Sequence, residues 1–172
     1  AASDVYKRQG HGITCTADLV SESEVRGVFL ELSQDIGLKL RKQGLAANGV
    51  RITVRDNTLS HRQYQCKLPF PTQSYLEIYD AGIDLFHRRY SWSNNIRSLT
   101  ISAIDLISAD TPVQLDLWTD MSKHKRRIRL EETIEDIRRR FGLHAINFAA
   151  AGSMKIPVQS DIEYKMPSVM YQ

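Results

Sequence analysis

Four short runs of the sequence alternate apolar residues with residues able to hold an anion. The non-apolar positions are Thr14 and Thr16; Arg51, Thr53 and Arg55; Gln63, Gln65 and Lys67; and Ser98, Thr100 and Ser102. The set is made of hydroxyls, amides and cations, with no carboxylate. A period of two places each group on one face of a strand. Short hydroxyls and backbone N–H groups hold phosphate oxygens, and Arg and Lys displace the counterions around a nucleic-acid backbone. No aromatic residue stands among these positions, so base stacking is not the chemistry on offer. The pattern points to a duplex held by its backbones. A solvated sheet face has a similar composition, and residue chemistry alone leaves both readings open.

Other chemistry finds no support in the spacing. The five histidines (His11, His61, His87, His124 and His144) have no metal-ligand spacing, and the two cysteines, Cys15 and Cys66, form no CxxC pair. Both cysteines fall on the inward parity and read as small core residues. Asp105 and Asp110 flank a strand end, and Asp116 and Asp120 lie close together, but none adjoins a phosphate-binding loop. No G-x-S-x-G or Gly-rich phosphate loop occurs. The expectation is a segment with no catalytic residue, no metal ligand and no cofactor of its own.

The elements that carry the anion-holding positions follow from the same patterning. Residues 12–19 alternate as a strand. Ser21 and Glu24 then form a capping box, and Val25, Val28, Phe29, Leu32, Ile36 and Leu40 make one helical stripe that ends at Gly44. Residues 50–55 and 63–68 read as antiparallel strands joined by a turn at Asp56-Asn57, the second stopped by Pro69 and Pro71. Ser74 and Glu77 suggest another capping box before the stripe Leu76, Tyr79, Ile83, Phe86 and Tyr90. Residues 96–107 form a fourth strand. The order β-α-β-β-α-β implies an α+β, two-layer sandwich: a four-stranded sheet with both helices on one face and the other face open. Carboxylates concentrate on the helices (Glu22, Glu24, Glu31, Asp35; Glu77, Asp80, Asp84), so charge is sorted by layer. A third stripe, Leu130, Ile134, Ile137 and Phe141, predicts a helix over 130–142, preceded by a linker over 109–129 and followed by an irregular tail over 143–172.

The 172 residues are 42% hydrophobic and 25% charged, enough for one ordinary core, and no apolar run approaches the ~20 residues of a membrane helix. The expectation is a cytoplasmic, reduced, monomeric chain without membrane contact. The net charge of +3 is local: residues 122–141 hold eight basic and four acidic side chains. The basic run Lys123-His124-Lys125-Arg126-Arg127 suits either DNA contact or a solvated linker. Residues 1–9, AASDVYKRQ, show no periodicity and resemble the conceptual translation of a transposon end used in sequencing libraries. They are set aside as a non-native or disordered leader, with the domain taken as 10–108.

The run Gly10-His11-Gly12-Ile13-Thr14-Cys15-Thr16-Ala17-Asp18-Leu19 resembles the start of the little-finger domain of Y-family translesion DNA polymerases, of the bacterial polymerase IV and ImpB/MucB/SamB type. The strand around Val50–Arg55, the run Asn95–Ile101, the segment Gln114–Trp118 and Ile137–Gly142 continue that resemblance in order. The resemblance implies an N-terminally truncated piece of a polymerase active in DNA repair and the SOS response. The Mg2+-binding carboxylates of such a polymerase would lie upstream. It implies duplex contacts, on primer–template and on damaged DNA, from Thr14, Thr16, Arg51, Thr53, Arg55, Arg97, Ser98, Thr100 and Ser102, beside Lys67, which the alternation on the open face supplies. Gln114, Leu115, Asp116, Leu117 and Trp118 are similar to the bacterial sliding-clamp-binding peptide, which makes the clamp a second expected partner. The alternative is a non-catalytic βαββαβ protein-interaction or regulatory module.

Overall fold

The computed structural model describes residues 8–112, 121–142 and 145–148. Along the chain run β1 (Arg8–Leu19), α1 (Glu22–Gln43), β2 (Leu45–Asp56), β3 (His61–Thr72), α2 (Tyr75–Arg89), β4 (Ile96–Ser108) and α3 (Met121–Phe141). The strands make one antiparallel sheet in the order β1-β4-β2-β3. α1 and α2 cover one face of it, giving the expected α+β sandwich.

Local chemistry sets the ends of α1. The Ser21 side chain accepts from Glu24 N while the Glu24 carboxylate accepts from the Ser21 backbone, and Gly44 closes the helix in the left-handed region at φ 63°. The apolar stripe of α1 (Val28, Phe29, Leu32, Ile36) and that of α2 (Ile78, Ile83, Leu85, Phe86) bury themselves on Val50, Ile52 and Val54 of β2 and on Leu99, Ile101 and Ala103 of β4. Each large side chain removed from water in this way contributes about 1.5–3 kcal/mol. Between β2 and β3, Asp56 Oδ1 accepts from Thr58 N at 2.9 Å, Thr58 Oγ1 at 2.6 Å and Ser60 N at 3.0 Å. These bonds, the one from the Thr58 hydroxyl foremost, hold the Asp56 carboxyl below the usual range.

Several boundaries differ from the sequence reading. β1 begins at Arg8, so Arg8 and Gln9, set aside with the leader, pair with Ile104 and Ala103 of β4. β2 begins at Leu45, well before Val50. β3 passes through Pro69 and Pro71 to Thr72. It is an edge strand, where a missing N–H can face outward, and its register jumps from Gly49↔Lys67 to Ala47↔Thr72. At α2, Ser74 Oγ accepts from Glu77 N at 3.3 Å, but Ser74 N turns to Thr72 Oγ1 at 2.9 Å. Glu77 binds Thr72 Oγ1 and His124 instead, so the box is only half formed.

The largest correction concerns α3. It spans Met121–Phe141, so residues 121–129 are helix and not linker. Of the apolar stripe, Ile134 is buried while Leu130 and Phe141 are exposed, because this helix docks through charge. Glu131 is fully buried and accepts from Ser74 Oγ at 2.5 Å, Tyr75 N at 3.1 Å, Leu76 N at 3.2 Å and Arg41 Nη1 at 2.8 Å. The carboxylate thereby caps the open N–H groups and positive dipole of α2. Arg41 also binds Glu135. Further along α3, His124 Nδ1 meets Glu77 at 2.9 Å and Arg127 meets Asp80 at 2.6 Å. Arg138 donates to Gln34 at 2.7 Å and to the Ile146 carbonyl at 3.0 Å, and Phe148 lies edge-on to Tyr75. No helix among the described residues is long and apolar enough to cross a membrane.

Candidate nucleic-acid interface

Strand order and register turn the anion-holding positions into rows. Thr14, Ser98, Arg55 and His61 stand abreast across the sheet. The next row is Gly12, Thr100, Thr53 and Gln63; the next, Gly10, Ser102, Arg51 and Gln65; the last, Arg8, Ile104, Gly49 and Lys67. Neighbours in a row are about 4.8 Å apart and successive rows about 7 Å. All four rows lie on the face away from α1 and α2, because the alternate residues Val50, Ile52 and Val54 are buried under the helices. None contains a carboxylate. The two arginines of β2 are separated by about 13 Å along the strand.

The rows are not uniform in height. The β2–β3 side carries the long side chains. There, Arg51 Nε and Nη2 donate to Gln65 Oε1 at 3.2 and 2.9 Å, which fixes the guanidinium and leaves its remaining donors free to bind another group. Arg55 has no carboxylate partner among the described residues. The β1–β4 side is low. A Cβ on Gly10 would stand 2.6 Å from Ser102 Oγ, and one on Gly12 would overlap the Thr100 hydroxyl. The two glycines let these hydroxyls lean over the β1 backbone, leaving a shallow floor beside a cationic ridge. Such a floor admits a phosphate close to main chain and hydroxyls, while the ridge supplies charge.

Of the residues predicted from sequence, Thr14, Arg51, Thr53, Arg55, Lys67, Ser98, Thr100 and Ser102 come together in these rows. Thr16 is exposed but lies beyond the regular register, which shifts between Thr14 and Leu19. Arg97 stands outside the rows. It is the extra residue where the β2–β4 register slips between Arg55↔Ser98 and Asp56↔Ile96, and its Nη1 faces Asp18 at 3.5 Å. Gln114, Leu115, Asp116, Leu117 and Trp118 lie outside the described residues, as does most of the tail. Sequence reasoning missed His61, Arg8, Gly10 and Gly12. Glycine at alternate positions of a strand was a visible sign of close backbone approach, whereas His61 joins its row only through the β2–β3 register.

Cys66 is half-buried on the inward parity of β3, and burial pushes its thiol up; Cys15 is buried, and both are free. Among the described residues no group of three or more His, Cys, Asp or Glu side chains is placed to hold a metal ion.

The impB/mucB/samB family C-terminal domain matches residues 7–117. A DNA polymerase IV of Acetivibrio thermocellus is 30% identical over 140 residues, covering 81% of this chain and 35% of that protein. DNA polymerase IV 2 of Bacillus subtilis is 30% identical over 152 residues, covering 86% of this chain and 36% of the relative. The chain thus spans about a third of the length of these relatives. A solved complex of the beta-clamp processivity factor and the little finger domain of PolIV aligns with a TM-score of 0.49 at 13% identity, over 65% of this chain and 99% of that one. The match over β1 to β4 and beyond makes this chain a member of the impB/mucB/samB family, carrying its C-terminal domain.

Proposed function

We propose that the open face of the sheet grips duplex DNA by its backbones, without reading sequence, as the non-catalytic DNA-holding part of a translesion polymerase of the DNA polymerase IV kind. The observation that carries this reading is the carboxylate-free set of rows, with hydroxyls over glycine on one side and Arg51, Arg55 and Lys67 on the other. Backbone contact suits damaged templates for a physical reason: a lesion on a base leaves the phosphates in place. Nucleotide transfer, with two Mg2+ ions stabilising the attacking and leaving oxygens, belongs in this reading to other parts of the parent polymerase. The DNA polymerase IV relatives support that parentage.

The segment Gln114–Trp118 is assigned to the sliding clamp, with Gln114 bonding at a pocket rim and Leu117 and Trp118 filling an apolar cleft. Its sequence pattern and its position directly after the sheet domain support the assignment.

Fluorescence anisotropy of the whole chain with a labelled primer–template duplex tests the grip. Binding that is sequence-independent and strongly salt-dependent is expected. Arg51→Gln/Arg55→Gln weakens it for all sequences and makes the slope of log K against log salt shallower by about 2. Absence of binding at low salt, or an unchanged slope in the variant, refutes the reading.

A further inference from the structure

We propose that the outer face of the first half of α3 is a second phosphate-contacting surface. It continues the cation track of the sheet past the β3 edge and holds the backbone of the same duplex. This rests on the duplex-binding reading above and extends it to residues outside the sheet.

Apart from Arg139 and Arg140, which pair with Asp136 on the helix itself, the cations of α3 divide into two groups. Those facing the fold are engaged: His124 by Glu77, Arg127 by Asp80, Arg138 by Gln34 and the Ile146 carbonyl. Lys123, Lys125, Arg126 and Arg129 are exposed, and the described structure gives their side chains no carboxylate partner. The charged helix is held by its inner set, so the outer set contributes nothing to docking.

The outer set is also connected to the sheet. Lys67 follows Gln65 on the open face of β3, and Gln65 holds Arg51. Lys67 of β3 and Lys123 of α3 both line one groove bounded by β3, α2 and α3. The acids in that groove are already bound: Glu77 by His124, Asp80 by Arg127 and Asp84 by Arg88. Neither lysine is neutralised there. The cations therefore run from Arg55 and Arg51 through Lys67 to Lys123, Lys125 and Arg126. A linear polyanion longer than the sheet fits such a track better than a compact acidic partner does.

The test titrates the whole chain against duplexes of about one and about two helical turns, roughly 10 and 20 base pairs. Lys123→Gln/Lys125→Gln/Arg126→Gln is compared with Arg51→Gln/Arg55→Gln. The substituted α3 residues are all exposed or partnerless, so thermal melting should be unchanged. On the longer duplex the α3 variant is expected to bind about tenfold more weakly or worse at low salt, with a slope shallower by about 2 to 3. On the shorter duplex it should match the unsubstituted chain. An unchanged slope on the longer duplex, with loss in the sheet variant, overturns the α3 surface and leaves the sheet reading standing. Equal loss on both lengths overturns the continuation past the edge. Reduced affinity for polyglutamate with duplex affinity intact identifies an acidic protein partner instead and also overturns it. Wild-type binding by the sheet variant refutes the underlying reading and the extension with it.

Discussion

Glu131→Gln is the substitution that tests how α3 is held. The change is nearly isosteric, but it removes a buried charge that accepts from four donors. Glutamine retains one acceptor oxygen and presents an N–H2 group to donors that need acceptors. Two charge-assisted bonds are lost, at about 1.5–3 kcal/mol each. The favourable term at the N-terminus of α2, about 0.3–1 kcal/mol, goes as well. Arg41 keeps Glu135, so its charge is not orphaned, and this places the cost at the low end of the 3–5 kcal/mol typical of a broken buried pair. The expected loss is about 3 kcal/mol, or roughly 6–12 °C in melting temperature for a chain of this size. Urea unfolding followed by tryptophan fluorescence measures it. Glu135→Gln, at a carboxylate 31% exposed, is the control and should cost at most about 1 kcal/mol. Equal effects of the two variants, or a loss under about 1 kcal/mol for Glu131→Gln, would refute the claim that this carboxylate anchors α3.

Gly12→Ala forces the Thr100 side chain aside and should cost about 1–3 kcal/mol by urea unfolding, much of it recovered in Gly12→Ala/Thr100→Ala. The absence of coupling in that cycle would show that the hydroxyl does not lean over the glycine. Asp56 titrates below the ordinary carboxylate value, so its contribution is present above that value and is lost as pH falls through the folded-state one. Asp56→Ala should destabilise the chain at neutral pH and flatten the acid limb of the stability profile. Tyr75 is pushed up to about 12, by burial first and the Glu131 charge second. Its contribution is whole below the ordinary value of about 10 and falls away between about pH 10 and 12, by roughly 2–3 kcal/mol. Tyr75→Phe should remove that alkaline limb, as measured by urea midpoints at about pH 9 and about pH 11.

Much of the architecture is legible residue by residue. Ser21, Glu24 and Gly44 announce both ends of α1, and the alternation of residues 50–55 and 98–102 assigns each side chain to a face. These signals are local: a cap spans one turn, and strand parity depends only on the residue count. The same locality explains where the reading stops short. Pro69 and Pro71 stop a central strand but not an edge strand, and the sequence does not say which strand is at the edge. The stripe of α3 starts at Leu130 by apolar period, yet the helix begins at Met121, since its first turns are held by the ionic contacts of His124 and Arg127.

The composition of the open face is written in strand parity alone: hydroxyls, amides and cations on one parity, carboxylates on the helices. Which of these stand abreast emerges only in the folded sheet. Register depends on turn geometry and on strands far apart in the chain, so the alignment of Thr14 with Ser98, Arg55 and His61 has no local signature. The fate of the basic run was settled in the same way. Nothing near His124 and Arg127 in sequence marks Glu77 and Asp80 as their partners, 47 residues away in each case. The burial of Glu131 against Ser74, Tyr75 and Leu76 follows from the free N–H groups that α2 exposes once folded, because a buried carboxylate is stable only where donors surround it.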